Sequence, residues 1–105
     1  MKEKDFIITK DRIRGDAVRF TVKGRVNSIN APVLKHMLEE ALRDEHVNLI
    51  LNMSQVEYLS SIGISVILSI YKKAHEAGGK LGIELPSEVV KNVLGMTALD
   101  TMLSV

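Results

Sequence analysis

The stretch VNLILNMSQVEYLSSIGISVILSIYKKAHEAGGKLGIEL, residues 47–85, changes its apolar period twice. It opens with Val47, Leu49, Ile50, Leu51 and Met53, a nearly continuous aliphatic run that suits a strand covered on both faces in the middle of a sheet. From about Ile62 to Ala77 the spacing becomes helical. Val66, Ile67, Ile70, Tyr71 and Ala74 form one stripe, with Gly63 at its head. Gly78-Gly79 supplies a left-handed stop. KLGIEL then returns to alternation through Leu81, Ile83 and Leu85. Strand, helix and strand in this order are most simply a right-handed parallel crossover. Between the first strand and the helix, SQVEYLSSIG reads as a loop that delivers Ser60 and Ser61 to a helix N-terminus.

Upstream, Val18, Phe20 and Val22 alternate with Arg19, Thr21 and Lys23, the period of a strand with one wet face. Phe6–Thr9 is a shorter candidate strand, and a turn centred on Gly15 joins the two into an antiparallel hairpin. In NAPVLKHMLEEALRDE, Leu34, Met37, Leu38, Ala41 and Leu42 recur at helical spacing. Asn30 is the expected N-cap there, with Pro32 in the first turn, where its missing N–H costs little. Downstream, a third helix follows Pro86. Ser87 is its expected cap, Val89, Val90, Val93 and Leu94 its apolar residues, and Gly95 its stop. Thr97 and Asp100 bracket a last short turn before Met102 and Leu103. The expected class is α/β: a small mixed sheet, an opening hairpin followed by parallel β-α-β units, covered by helices.

The chain of 105 residues is one domain by size, and a net charge of +1 gives no electrostatic grip on nucleic acid or anionic lipid. Zero cysteines exclude disulfides and thiolate metal sites. No apolar run approaches the roughly 20 residues that cross a bilayer, and MKEKDFIITK lacks the apolar centre of a signal peptide. A cytoplasmic location without membrane insertion or direct nucleic-acid binding is expected. His36, His46 and His75 lie in different elements with no companion acid or cysteine at ligand spacing, so no metal and no cofactor are expected. YLSSIG is not the G-x-S-x-G elbow of a serine hydrolase. HEAGGKLGI has its glycines after a helix and before a strand, the reverse of a Walker loop. No convergent acid and base suggest an enzyme or a nucleotide binder on a flavodoxin-like sheet.

The loops leaving parallel strands gather on one edge of such a sheet. Here GRVNSINAP and SQVEYLSSIG both lead into helices. A helix start offers unpaired N–H groups and a partial positive charge, which suit a phosphate. Serine is also among the commonest N-caps. Residue type alone therefore leaves two readings of Ser60 and Ser61: capping only, or a cap beside a hydroxyl that is modified. Ile62 falls about 110° from the centre of the buried stripe at 100° per residue, which leaves two readings: partly exposed beside Ser61 as a partner contact, or tucked under the preceding loop. Leu68 lies further off the stripe, exposed or packed against the neighbouring helix.

Residues 5–105 resemble a STAS domain, the family of bacterial anti-sigma-factor antagonists. FTVKGRVNSINAPVLKHML, LILNMSQVEYLSSIGISVIL and KNVLGMTALDTML carry the resemblance. The family's second helix typically starts aspartate, serine, serine or threonine, glycine, and the first serine is phosphorylated by the partner kinase. Aligning Gly63 with that glycine puts Ser61 at the phosphorylated serine, Ser60 at the aspartate and Ile62 at the second hydroxyl. Asn27 stands where the family often has another aspartate. The resemblance implies a single STAS domain over residues 1–105, itself no enzyme. It would bind an anti-sigma factor with serine kinase activity and so release a sigma factor. Phosphorylation at Ser61 would switch it off and a phosphatase would reset it. Partner contact is expected at Asn27, Ser28, Ser60, Ser61, Ile62 and Gly63. The alternative, favoured by neutral Ser60 and Asn27, is a STAS interaction or scaffold module that is not phosphorylated, in a stress-signalling complex or a transport system.

Overall fold

The computed structural model describes residues 6–14, 17–44 and 48–97. The elements run β1 (Phe6–Arg14), β2 (Ala17–Val26), α1 (Ala31–Arg43), β3 (Asn48–Leu59), α2 (Ser61–Glu76), β4 (Lys80–Glu84) and α3 (Glu88–Thr97). The sheet order is β1-β2-β3-β4. β1 pairs antiparallel with β2, as Ile8 opposite Val22 and Lys10 opposite Phe20 record. β2–β3 and β3–β4 are parallel, with Phe20 beside Leu51 and Leu51 beside Ile83. The expected mixed sheet of a hairpin and two β-α-β units is therefore what forms. The Gly15 turn, His46, and Asp100, Met102 and Leu103 lie outside the described residues.

Alternation decides which side of the sheet the helices cover. Val18, Phe20 and Val22 on β2, Leu49, Leu51 and Met53 on β3, and Leu81 and Ile83 on β4 point one way and are buried. They form one core with Leu34, Leu38 and Ala41 of α1, Val66, Ile67 and Ile70 of α2, and Val90 and Leu94 of α3. Burying each such aliphatic side chain is worth about 1.5–3 kcal/mol. The opposite face carries Arg19, Thr21, Ile50, Asn52 and Glu84, none of them fully buried. Arg19 and Glu84 form an ion pair at 2.7 Å across it. β3 is thus in the middle of the sheet, as expected, but its second face is polar and part-exposed rather than fully covered.

Four boundaries differ from expectation, the first being that of β1, which runs on past Thr9 to Arg14. β3 continues through SQVEYL to Leu59, so the expected loop shrinks to Ser60. Two slips of register, between Thr21/Lys23 and between Gly24/Arg25 of β2, give β3 extra residues and let it stay paired. Its burial changes step there, from every second residue to every third: Leu51, Met53, Val56, Leu59. β4 stops at Glu84, and Leu85 turns out of it at φ 52° with its side chain in solvent. Gly78, at φ 91°, is the left-handed stop after α2. Gly95 does not end α3, which runs through it to Thr97. The isolated glycine is tolerated because burial of Val90 and Leu94 outweighs a propensity deficit of about 1 kcal/mol. Ser87 holds the start of α3: its Oγ donates to Val56 O at 2.7 Å and accepts from Val90 N at 3.3 Å.

Candidate functional site

Val26 and Leu59, the last residues of β2 and β3, are neighbours in register. The chain therefore leaves both strands at one place, and α1 and α2 start side by side. The N–H of Ser60 donates to Val26 O at 2.9 Å, tying the two exits together. Close approach requires Gly63 in the first turn of α2. A Cβ there would lie 2.8 Å from Leu59 Cδ1 and 2.9 Å from Val26 Cγ1. Gly63 is buried, so it serves this site by letting the helix sit on the strand ends.

The two serines are not equivalent. Ser60 has extended backbone (φ −79°, ψ 167°), and its Oγ accepts from Gly63 N at 3.1 Å. Its carbonyl accepts from Ile64 N at 3.0 Å. Ser60 is thus the N-cap. Ser61 is the first helical residue, is exposed, and takes no part in the cap. The capping bond uses the Gly63 N–H, so those of Ser61 and Ile62 remain at the open end of the helix. No acidic residue stands in the first turn of α2, so the partial positive charge of its N-terminus is not neutralised there. Ile62 is 47% exposed rather than tucked under the preceding loop, and Leu68 is half-buried against the core.

Facing Ser60, residues 27–30 form a capped turn. Asn27 Oδ1 accepts from Ile29 N at 3.0 Å and Asn30 N at 2.9 Å, and Asn27 O accepts from Ala31 N at 2.9 Å. Asn27 therefore does what the sequence assigned to Asn30. Asn30 has helical backbone and no side-chain cap bond; its Nδ2 donates instead to Arg25 O at 2.7 Å. The reason is reach: an oxygen placed two residues before Ile29 meets two free N–H groups, whereas Asn30 is already inside the turn. Ser28 is exposed on it. Asn27, Ser28, Ser60, Ser61 and Ile62 thus share one edge, with Gly63 beneath.

Two features of this edge were absent from the sequence reading. Ile29 is 80% exposed; the available signal was an aliphatic residue inside the otherwise polar NSIN. Arg25 lies over the Tyr58 ring at 4.6 Å from its centroid, a contact that only strand pairing creates. The two described histidines do not converge: His36 approaches Glu40 at 3.6 Å on α1, and His75 stacks on Tyr71 on α2. Among the described residues no three His, Cys, Asp or Glu side chains come together, and no helix is long and apolar enough to cross a membrane. The edge offers the exposed hydroxyls of Ser28 and Ser61, of which only that of Ser61 stands at a helix start, with uncommitted N–H groups and apolar neighbours. That set can present a serine to another molecule.

Residues 9–105 match the family described as STAS domain. A candidate anti-sigma factor antagonist of Thermotoga maritima is 30% identical over 95 residues, 90% of this chain and 84% of that protein. The anti-sigma-B factor antagonist of Bacillus subtilis strain 168 is 25% identical over 88 residues, 84% of this chain and 80% of that one. Among solved structures, the anti-sigma factor antagonist SpoIIAA in its unphosphorylated form has a TM-score of 0.82 at 14% identity, covering 90% of this chain and 84% of that one. Bacillus SpoIIAA in its phosphorylated form has a TM-score of 0.76, also at 14% identity, covering 90% and 86%. At that identity the likeness concerns the fold.

Proposed function

The chain belongs to the STAS domain family, and we propose that it is an anti-sigma factor antagonist switched by phosphorylation of Ser61. The unphosphorylated chain binds an anti-sigma factor with serine kinase activity through the Ser61 edge, and a sigma factor is released. The kinase supplies nucleotide, metal and catalysis; this chain supplies the hydroxyl, and a phosphatase removes the mark. All of this takes place in the cytoplasm. The relatives that span most of the chain are named for antagonising anti-sigma factors, which supports the class of partner.

The observation that carries the switch is the division of labour between the serines. Ser60 caps α2, so Ser61 can be modified without uncapping the helix. A phosphate adds about −1.5 to −2 charges at a helix start that favours them. The fold therefore tolerates the mark, and the partner pays for it. Binding would press a dianion against the surface that covers Ile62, and every 1.4 kcal/mol or so of lost affinity is tenfold.

The test is the affinity of Ser61 variants for the purified anti-sigma factor of the source organism. Ser61→Ala binds as wild type and Ser61→Asp at least about tenfold more weakly; equal binding of the two sinks the switch. A second reading, a constitutive interaction or scaffold module, is favoured by Ser60 and Asn27, which serve here as neutral caps where the family has aspartates. Intact mass after incubation with kinase and ATP separates the two. The switch gains one phosphate, lost in Ser61→Ala; the module gains none.

A further inference from the structure

The turn between β2 and α1 is held by five hydrogen bonds. Asn27 Oδ1 holds the N–H groups of Ile29 and Asn30 at 3.0 and 2.9 Å. Asn27 O holds that of Ala31, and Asn30 Nδ2 holds Arg25 O. Val26 O takes the Ser60 N–H and so fastens the turn to the start of α2. This frame presents apolar groups to water. Ile29 is 80% exposed and Val33 is 48% exposed. They stand four residues apart in a segment with helical hydrogen bonding, which puts them on one side of it.

We propose that Ile29, with Val33 beside it, is an apolar anchor for the anti-sigma factor, and that Asn27 is the positioning residue that holds the anchor in place. This rests on the reading of the Ser61 edge as the partner's seat. The Val26–Ser60 bond joins the turn to Ser61, so a partner that reaches the serine meets Ile29 on the same edge. The backbone of the anchor is already set in the free protein, so binding has little order left to impose. The two devices divide the work: covering Ile29 sets affinity in the unmarked state, and Ser61 sets whether that state exists. Asn27 acts through its side-chain oxygen. An aspartate there keeps the acceptor; an alanine releases both N–H groups.

Titration calorimetry with the purified anti-sigma factor tests this, with thermal unfolding and amide exchange as companions. Ile29→Ser is expected to bind about tenfold more weakly or worse, with an unchanged melting temperature because its side chain is in solvent. Asn27→Ala is expected to lose affinity while amide exchange at Ile29 and Asn30 quickens, and Asn27→Asp to restore both. Wild-type affinity in Ile29→Ser, alongside weakened Ser61→Asp, overturns the anchor and leaves the switch standing. Lost affinity in Asn27→Ala with unchanged exchange overturns the positioning role. Weak Ile29→Ser with wild-type affinity in Ser61→Asp supports the anchor and removes the switch alone.

Discussion

Ser60 and Ser61 differ by one position and by everything that position implies. The hydroxyl of Ser60 satisfies a helix N–H, so Ser60→Ala is expected to lower stability by about 1 kcal/mol. Ser61 is exposed and outside the cap, so Ser61→Ala is expected to stay within about 0.5 kcal/mol. Urea unfolding of the two variants side by side checks the assignment; the reverse order would give Ser61 the cap. The sequence already contained Ser60 as a plausible cap, because serine before an apolar helical stripe is a local signal. For Ile62 the helical angle left exposure and burial under the preceding loop both open, and the structure exposes it. The roles of the asparagines were not legible in the sequence. Asn27 and Asn30 have the same capping preference, and which one reaches the free N–H groups depends on where β2 ends.

β3 and α2 show what periodicity can and cannot see. Asn48–Met53 keeps period two and reads as a strand. SQVEYL does not, because Met53 and Ser54 together face Val22, and Glu57 is inserted between the partners of Gly24 and Arg25. Each extra residue resets the alternation, so a paired strand looks irregular when read along the chain. The bulges carry β3 to Leu59, where α2 must start against Val26, and Gly63 makes room. Gly63→Ala is therefore expected to destabilise by about 1–2 kcal/mol. Crowding the short, buried Val26 side chain costs about 1–3 kcal/mol, more than the helix propensity gained. Denaturant unfolding reads the difference, and an increase in stability would refute the close approach. α1 and α2 are also joined by Lys73 Nζ and Glu39 Oε2 at 2.6 Å. That hydrogen bond, helped by the charges of Lys73, Lys35 and Arg43 against a smaller opposing effect of desolvation, holds the Glu39 carboxyl below its usual pKa. A depressed carboxyl adds stability above its unfolded pKa and loses it as pH falls through the folded one. Lys73→Met should thus raise the Glu39 midpoint in an NMR titration and flatten the loss of stability below the ordinary carboxylate range. An unmoved midpoint would mean that the pair is not formed in solution.

At the scale of the molecule, most of the described exposed large hydrophobics lie toward one end of the sheet. Ile29 and Val33 lie beyond the end of β2, Tyr58 and Ile62 at the end of β3, and Leu85 just after β4. Ile7 joins them because β1 runs antiparallel and pairs it with Lys23. β2 and β3 thus point their C-terminal ends, two helix starts and the side chains of Ile29, Val33, Tyr58 and Ile62 toward one pole, which is where an interaction surface would be expected, whereas β4 ends level with Asn52 and leaves Leu85 short of it. By itself the sequence determined the α/β class, the order of strands and helices, the faces that form the core, and the serine pair at a helix start. All of these follow from spacing along the chain. Only the tertiary structure decided that β3 reaches Leu59, that Asn27 rather than Asn30 caps the turn, and that Arg25 lies over Tyr58. Those depend on register between strands distant in sequence, and register is a property of the paired chain that no single segment contains.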